Sequence, residues 1–434
     1  MWWSRLKRFT AFSLYQIGIQ GIGQLSGLML VWLMPHDEYA LLTVALSMSM
    51  TIHTLCDMGI STAVISIGGR VHHNRERFGA LIASAMRARW WLALVVVPLL
   101  MPLMVILLRR AGADWIQVAL AVALSLIGLG LDLRVAVLVR VLLLRGEVGQ
   151  AQAIDLRSAL VRISTIALAV ATHTLSLALA LGSDVLQLLA RTVLLQRRLA
   201  PHVDLGAPAV ESDHQEIRRL MRLQAANGIF FCIQGQLALW LLGFLGGHGA
   251  VADYGALGRF SFLVSFLSAM LTNILVPGVA RLQDPETLVR RYRTILSGLT
   301  AVALALTGAC WLFPAPALLL LGSQYHHLQA ELPLMVGNLM ISFLIGAVWS
   351  LNAARAWITA SSLFNIPCTI AMQVAMAFAI DVTTVHGALL FSITTQLPNA
   401  LLCAFDSWRG LRRFRLSPPA GPAAGTVAAG PPPP

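Results

Sequence analysis

Arg162 and Asp184 lie eleven residues before and after His173 in the apolar stretch "VRISTIALAVATHTLSLALALGSDV" (161–185). If that stretch is an antiparallel helical hairpin turning at His173, a rise of 1.5 Å per residue puts both side chains about 16 Å from the turn. That depth is near the middle of a hydrocarbon layer about 30 Å thick, where an unpaired charge is costly and ionisable groups are usually functional. The spacing therefore predicts that the two pair, or share one cavity. Two chemistries follow. The pair could lock the hairpin, or it could line a pathway in which protonating Asp184 frees Arg162 for an anionic substrate, giving a route for proton or sodium coupling. Asp155 stands seven residues before Arg162, on nearly the same helix face and nearer the cytoplasm. Asp132 and Arg134 end the fourth apolar segment at similar depth, and with Asp57 and Asp155 they form a candidate gating or ion-pair set. Arg140, Arg145 and Arg157 are expected to snorkel to lipid headgroups. Arg259, five residues after Tyr254, could close the outer end of a cationic path or anchor at the interface.

A second group is uncharged. Gln16, Gln20 and Gln24 recur every four residues in "LYQIGIQGIGQLSGLMLVWL" (14–33), so they line one side of a helix. Gln224, Asn227 and Gln234 give a later segment a looser polar side. Asn273, Asn338, Asn352, Asn365 and Gln373 add to the set. Amides donate and accept without fixing a charge, which suits sugar hydroxyls. The plainer alternative is hydrogen bonding between helices, with Gly23 and Gly27 as a small-residue contact. Three stacked amides need more partners than one neighbouring helix supplies, and a wet lumen would supply them. The substrate-pathway candidates are thus Gln16, Gln20, Gln24, Arg162, Asp184, Asn227, Gln234, Arg259 and Asn273.

Other chemistries lack their residues. The only lysine is Lys7, so no GxxxxGK phosphate loop exists. There is no HExxH. The five cysteines fall in apolar stretches without a CxxC pair, so no metal site or cofactor is implied. The pairs His72–His73 and His326–His327 sit in loops without a carboxylate-rich neighbourhood and read as solvated or interfacial. No segment outside the apolar runs is long enough for a soluble catalytic domain, and the short outer loops weigh against a membrane-embedded glycosyltransferase or polymerase. The residues point to transport rather than catalysis.

Positioning these groups requires membrane-spanning helices. The 434 residues are 57% hydrophobic and 12% charged, with mean hydropathy +0.75, about half the charge fraction of a soluble domain. An all-α polytopic membrane protein follows, with about 12 transmembrane helices at 10–33, 39–66, 89–108, 115–138, 153–173, 175–196, 223–246, 254–279, 294–313, 332–354, 357–380 and 385–406. The basic start "MWWSRLKRFTAF" precedes a run too long for a cleaved signal, so the first span is expected to be retained. The net charge of +12 reflects arginine placement rather than nucleic-acid binding. With the N-terminus inside, twenty-eight of the thirty-one basic residues fall on the cytoplasmic side and only Arg109, Arg110 and Arg259 outside. That split predicts N-in and C-in topology.

The polar stretch near the midpoint divides the chain into an N-terminal bundle (1–199), a cytoplasmic linker (200–219), a C-terminal bundle (220–410) and a Pro/Ala/Gly-rich tail (411–434) expected to be disordered. The halves resemble each other: Gln20-Gly21 matches Gln234-Gly235 at an offset of 214, and Tyr39 matches Tyr254 at 215. Six spans per half is even, so the two six-helix bundles are parallel and related by an axis along the membrane normal.

This organisation resembles the MOP superfamily of exporters. "LCDMGISTAVIS" (55–66) resembles the D-x-G-[IL]-x-x-[AS] signature of Wzx-type lipid-linked oligosaccharide flippases, and "DYGALGRF" (253–260) resembles their Y-x-x-A-x-R motif, displaced by one. By position the pattern carries over to Asp57, Gly59, Tyr254 and Arg259. The resemblance implies two bundles around a cavity that opens alternately to each side of a bacterial cytoplasmic membrane. It also implies a polyprenyl-diphosphate-linked saccharide as substrate, flipped outward for O-antigen, capsule or exopolysaccharide synthesis, with glycosyltransferases and a polymerase as partners. A multidrug or organic-cation exporter of the same superfamily is the alternative. The two extra C-terminal spans expected of a lipid II flippase are lacking.

Overall fold

A computed structural model describes residues 2–416, except 72–73, 205, 277–278, 280–281, 283 and 356. Side chains at 2–17, 223–224, 248, 273–274, 285, 323 and 414–416 also lie outside the described set. Because hydrocarbon offers the backbone no partners, apolar runs this long close their hydrogen bonds internally as helices. Among the described residues there are no strands.

The N-terminal half comprises α1 (Trp2–Leu33), α2 (His36–Asp57), α3 (Ile60–Val71), α4 (Arg75–Arg110), α5 (Trp115–Leu144), α6 (Val148–Ala171) and α7 (Leu177–Leu199). The C-terminal half comprises α8 (Glu211–Leu245), α9 (His248–Leu257), α10 (Ser261–Met270), α11 (Pro285–Leu312), the short α12 (Pro314–Leu318), α13 (Glu331–Ala353), α14 (Thr359–Ala379), α15 (Val385–Thr394) and α16 (Leu397–Leu416). Polar caps start several helices. Asn74 accepts from the Arg77 amide, Asp114 and Gln117 form a reciprocal capping box, and Asp284 caps a helix with proline in its first turn.

Among the described residues ten helices or paired helices are long and apolar enough to cross a membrane. Two of the twelve expected spans, in α1 and α6, fall outside those ten. The described side chains of α1 cover only Gly18–Leu33, and α6 is made too polar by Asp155, Arg157 and Arg162. Two spans are broken in the middle. The second consists of α2 and α3, parted at Met58 (φ 33°) and Gly59 (φ 86°). The eighth consists of α9 and α10, joined by a 3-10 turn at Gly258–Phe260 and continued by a π-helical turn at Leu271–Leu275. The repeat offset of 214 carries Met58 to position 272, inside that π turn. The two halves are thus irregular at the same depth.

The linker expected at 200–219 contains the start of α8, which begins at Glu211, well before its membrane-length apolar part Ala225–Leu245. Its remainder is packed against the N-terminal half: a Cβ at Gly79 would collide with the Asp204 carbonyl, Arg77 is paired with Asp213, and the Val210 amide donates to Ser84 at 2.9 Å. The tail expected from 411 also starts later, since α16 runs to Leu416; residues 417–434 lie outside the described residues.

The apolar core shows how the halves meet. One continuous cluster at the outer end takes residues from both halves, including Leu30, Leu42, Met104, Leu242, Ala256 and Val336. Toward the cytoplasmic end the core splits. Ile60, Phe78, Val141 and Leu199 belong to a cluster of the N-terminal half joined by Ile217 from the cytoplasmic start of α8, and Leu288, Tyr292 and Leu351 to one of the C-terminal half. Apart from that first stretch of α8, the inner clusters of the two halves are separate.

Candidate functional site

Between the parted halves lies a cavity of about 1310 Å³. The N-terminal half contributes the α2–α3 break, with Arg89 of α4 and Ala136 and Arg140 of α5; the C-terminal half contributes α8, α13, α14 and the α15–α16 junction. The C-terminal wall is uncharged. Ser342 Oγ donates to Gln396 Oε1 at 2.7 Å, and Gln396 Nε2 donates to Asn338 Oδ1 at 2.7 Å. Asn365 and Asn399 extend this amide surface, and Asn227 and Gln234, both expected from sequence, also line the cavity. The pattern is hydroxyls and amides on a packed helical scaffold, able to meet many neutral donors and acceptors.

The α2–α3 break explains the "DMGIS" motif. Met58 and Gly59 occupy left-handed backbone conformations, which favour glycine at the second position. Asp57 then acts as a cap for α3, accepting from the Ser61 amide at 3.2 Å and the Ser61 hydroxyl at 2.7 Å. The same carboxylate oxygen receives Arg89 Nη2 at 2.8 Å. Arg89, fully buried, spends another donor on the Leu133 carbonyl at 3.0 Å. Asp57 is the only carboxylate among the described lining residues of this cavity, and it is already occupied. Arg140, expected at the headgroups, lines the cavity instead. Arg157 is exposed, and Arg145 is bonded to Glu147 at 3.0 Å.

A second cavity, of about 420 Å³, lies within the N-terminal half. Arg162, Asp184, Asp132 and His53 line it, and His53 and Thr54 border both cavities. Arg162 Nε and Asp184 Oδ1 approach to 2.7 Å, as the hairpin register predicts. No aligned hydrogen bond forms at that Nε, so charge rather than directed bonding holds the contact. His53 is 3.6 Å from Asp132. The same symmetry about His173 generates a second rung, and near-symmetry a third. Asp155 meets Arg191 at 2.7 Å, each eighteen residues from the turn, and Glu147 meets Arg198 at 2.8 Å. Asp184, Arg191 and Arg198 follow one another at heptad spacing. Arg145 and Arg198 hold the Glu147 carboxyl, at the cytoplasmic end, below the usual carboxylate range.

Bonds between the halves close the outer end. Asp253 receives His36 of the N-terminal half at 2.9 Å and His327 of its own half at 3.0 Å. His327 thus has a carboxylate partner, contrary to its reading as a solvated loop residue. Trp32 Nε1 donates to the Leu320 carbonyl at 2.7 Å, and Gln324 Nε2 to the Val31 carbonyl at 2.6 Å. Arg259 Nε donates to the Tyr39 hydroxyl at 3.0 Å. A Cβ at Gly27 would stand 2.6 Å from the Arg259 guanidinium, while Gly23 faces open space. Gly27 therefore makes room for an arginine, not for a paired helix.

Other predicted residues are elsewhere. Gln20 and Gln24 are half-buried on α1, and neither is among the residues lining the two cavities. Arg134 is exposed. Asn352 is buried in a bond with the Tyr292 hydroxyl. The side chains of Gln16, Gln224 and Asn273 lie outside the described residues. Among the described residues no group of three or more His, Cys, Asp and Glu side chains could hold a metal ion.

No protein-family model and no curated relative matches this sequence. Solved structures do match in fold. The inward-facing conformation of a multidrug resistance MATE family transporter of the MOP superfamily aligns with TM-score 0.64 at 16% identity, covering 93% of this chain and 94% of that one. The lipid II flippase MurJ in an inward closed conformation aligns with TM-score 0.62 at 13% identity, covering 93% and 90%. An outward-facing MATE family transporter aligns less well, with TM-score 0.54 at 15% identity over 94% and 95%. The chain has the fold shared by these transporters, and its split inner core agrees with the better fit to the inward-facing form.

Proposed function

We propose that this protein carries a polyprenyl-diphosphate-linked oligosaccharide from the cytoplasmic to the outer leaflet of a bacterial cytoplasmic membrane, by alternating access. The observation that carries the reading is the main cavity. It is large enough for several sugar rings, lies between the two halves, and presents amides and hydroxyls around Asn338, Asn365 and Gln396. A glycan needs many neutral hydrogen-bonding groups, and its prenyl tail can stay in lipid. Fold neighbours include a lipid II flippase, in keeping with a lipid-linked saccharide.

The organic-cation exporter reading fits this lining less well. An organic cation wants a free carboxylate, and the sole described lining carboxylate is engaged by Arg89 and Ser61. The carboxylates Asp132 and Asp184 lie in the separate N-terminal cavity, a suitable place for a coupling proton or sodium ion. His53, on the wall between the cavities, would relay its occupancy. On this reading the outer bonds of Asp253, Gln324 and Arg259 break as the inner mouth closes, one half rocking against the other. Glycosyltransferases supply the substrate on the cytoplasmic side, and a polymerase consumes it outside.

Depleting the protein in its host tests the reading. Lipid-linked oligosaccharide should accumulate and remain inaccessible to an external glycosidase in intact spheroplasts. Unchanged accessibility would reject the flippase reading, and loss of organic-cation efflux instead would favour the exporter.

A further inference from the structure

His327 meets an acceptor at each ring nitrogen. Nδ1 stands 3.1 Å from the Gln324 carbonyl oxygen, and Nε2 stands 3.0 Å from Asp253 Oδ2. A carbonyl oxygen and a carboxylate oxygen only accept, whereas a neutral imidazole has a single N–H to give. Both contacts exist together only if the pair holds one proton more than a neutral imidazole and a carboxylate carry. That proton sits on the ring, making it an imidazolium, or on Oδ2, which then donates to Nε2; the count is the same. His36 differs. Its Nε2 meets Asp253 Oδ1 at 2.9 Å, and among the described residues its Nδ1 makes no bond, so the neutral ring suffices.

The extra proton lies where the halves meet. Asp253 is buried in α9 of the C-terminal half, and His36 begins α2 of the N-terminal half. Gln324, whose carbonyl His327 holds, sends its own side chain to the Val31 carbonyl of α1, and the Leu320 carbonyl receives Trp32. Residues 320–327 are therefore a strap, fastened to α9 by His327 and to α1 by Gln324 and Leu320. Without the proton His327 must give up either Gln324 or Asp253, and the strap loses one of its fastenings. The other ionisable groups around it are Tyr325, with its ring 5.8 Å from that of His36, and the bonded pair Tyr39 and Arg259 behind it. Burial pushes the Tyr325 hydroxyl above its usual range. Among the described residues, His326, Glu331 and Asp37, the sequence neighbours of the two histidines, bond to none of the three. Of these residue types, histidine is the one whose charge ordinarily changes between about pH 5 and pH 8. The His327 side chain is 55% exposed, so it exchanges protons with the water outside.

We infer that His36, Asp253 and His327 form a proton-operated latch: a proton taken from the outer side holds the 320–327 strap down and the outer end shut, and its loss frees the strap for opening. The inference rests on the alternating-access part of the proposed function, but not on what is carried. The proton enters and leaves on one side, so the latch sets how readily the outer end opens without driving transport. External acid favours the outward-closed form.

Spin labels at Ile116→Cys and Gln329→Cys, exposed outer positions of the two halves, report opening through pulsed-dipolar distances in the full-length, otherwise cysteine-free protein in nanodiscs. The ratio of closed to open molecules should rise as pH falls from about 8 to about 5, by at most about tenfold per pH unit, the limit for one proton. His36→Gln can donate in place of Nε2 and should keep the response; its loss there would overturn the assignment to His327. His327→Gln has no second proton to take and should respond to pH hardly at all, resting more open than wild type in acid. Asp253→Asn donates through its amide to a neutral His327 and still accepts from His36, so it should stay closed throughout; it also serves if His327→Gln does not fold. A wild-type ratio indifferent to pH, or a wild-type response surviving in His327→Gln or Asp253→Asn, would overturn the latch. Neither result touches glycosidase accessibility, which judges the flippase reading separately: a working latch in a protein that moves no lipid-linked oligosaccharide would keep the inference and remove that reading.

Discussion

Replacing Asp57 by Asn leaves the side chain's shape and its carbonyl acceptor, so Ser61 can still be capped. What disappears is the charge opposite Arg89, whose side chain is 2% exposed. Removing one partner of a buried pair typically costs about 3–5 kcal/mol, because the other charge is left uncompensated. The Asp57 side chain is 30% exposed at the cavity wall, so water can partly take its place, and the low end applies: a loss of about 3 kcal/mol. Asp57→Ala also removes the α3 cap, about 1 kcal/mol more. Asp57→Asn with Arg89→Gln removes the stranded cation and should recover most of the loss. Unfolding midpoints in mixed detergent and SDS micelles, followed by tryptophan fluorescence, would measure wild type, these three variants and Arg89→Gln alone. If Asp57→Asn is as stable as wild type, or the double variant loses the sum of the single losses, Asp57 and Arg89 do not act as a buried pair.

Other outcomes follow from the same geometry. Exchanging Arg162→Asp with Asp184→Arg should retain folding that either single change impairs, with a coupling energy of about 2 kcal/mol; additive losses in the same unfolding assay would refute the contact. Asp253→Ala removes the shared acceptor of His36 and His327, and losing about 1 kcal/mol of outer closure should raise labelling of Ser47→Cys by an external thiol reagent roughly fivefold; unchanged labelling would refute the closure role. Glu147, held below its usual range by Arg145 and Arg198, contributes stability above the ordinary carboxylate pKa that is lost as pH falls through its depressed value. Glu147→Gln should therefore be less stable than wild type near neutrality, by under about 1 kcal/mol for a half-buried carboxylate whose arginine partners reach solvent, and the gap should close in acid. A gap that widens in acid would contradict that sign.

Much of this architecture is written in local patterns. Ten of the spans follow from apolar run lengths, and the Arg162–Asp184 contact from equal distances to one tight turn. Equal distances to His173 also encode the Asp155–Arg191 rung, whereas Glu147 and Arg198 stand one residue out of register and meet through the reach of the arginine. The linker's helical start at Glu211 was obscured by its polarity, since a solvated helix carries no apolar run. Contacts between distant segments leave no local trace. Nothing near Asp57 announces Arg89, and nothing near His36 announces Asp253, 217 residues away. The arginines illustrate the same limit: Arg140 and Arg157 look alike in sequence, yet helix rotation turns one to the cavity and the other outward.

Passage of a lipid-linked glycan through the main cavity would be visible in proteoliposomes containing the purified protein and an undecaprenyl-diphosphate-linked oligosaccharide in both leaflets, through the fraction cleaved by an external glycosidase. Cleavage should proceed past the outer-leaflet half toward completion, and a bulky Asn365→Trp substitution in the cavity wall should return it to half. Cleavage that stops at half with the wild-type protein, or passes it equally well with the cavity blocked, would refute transport by this route.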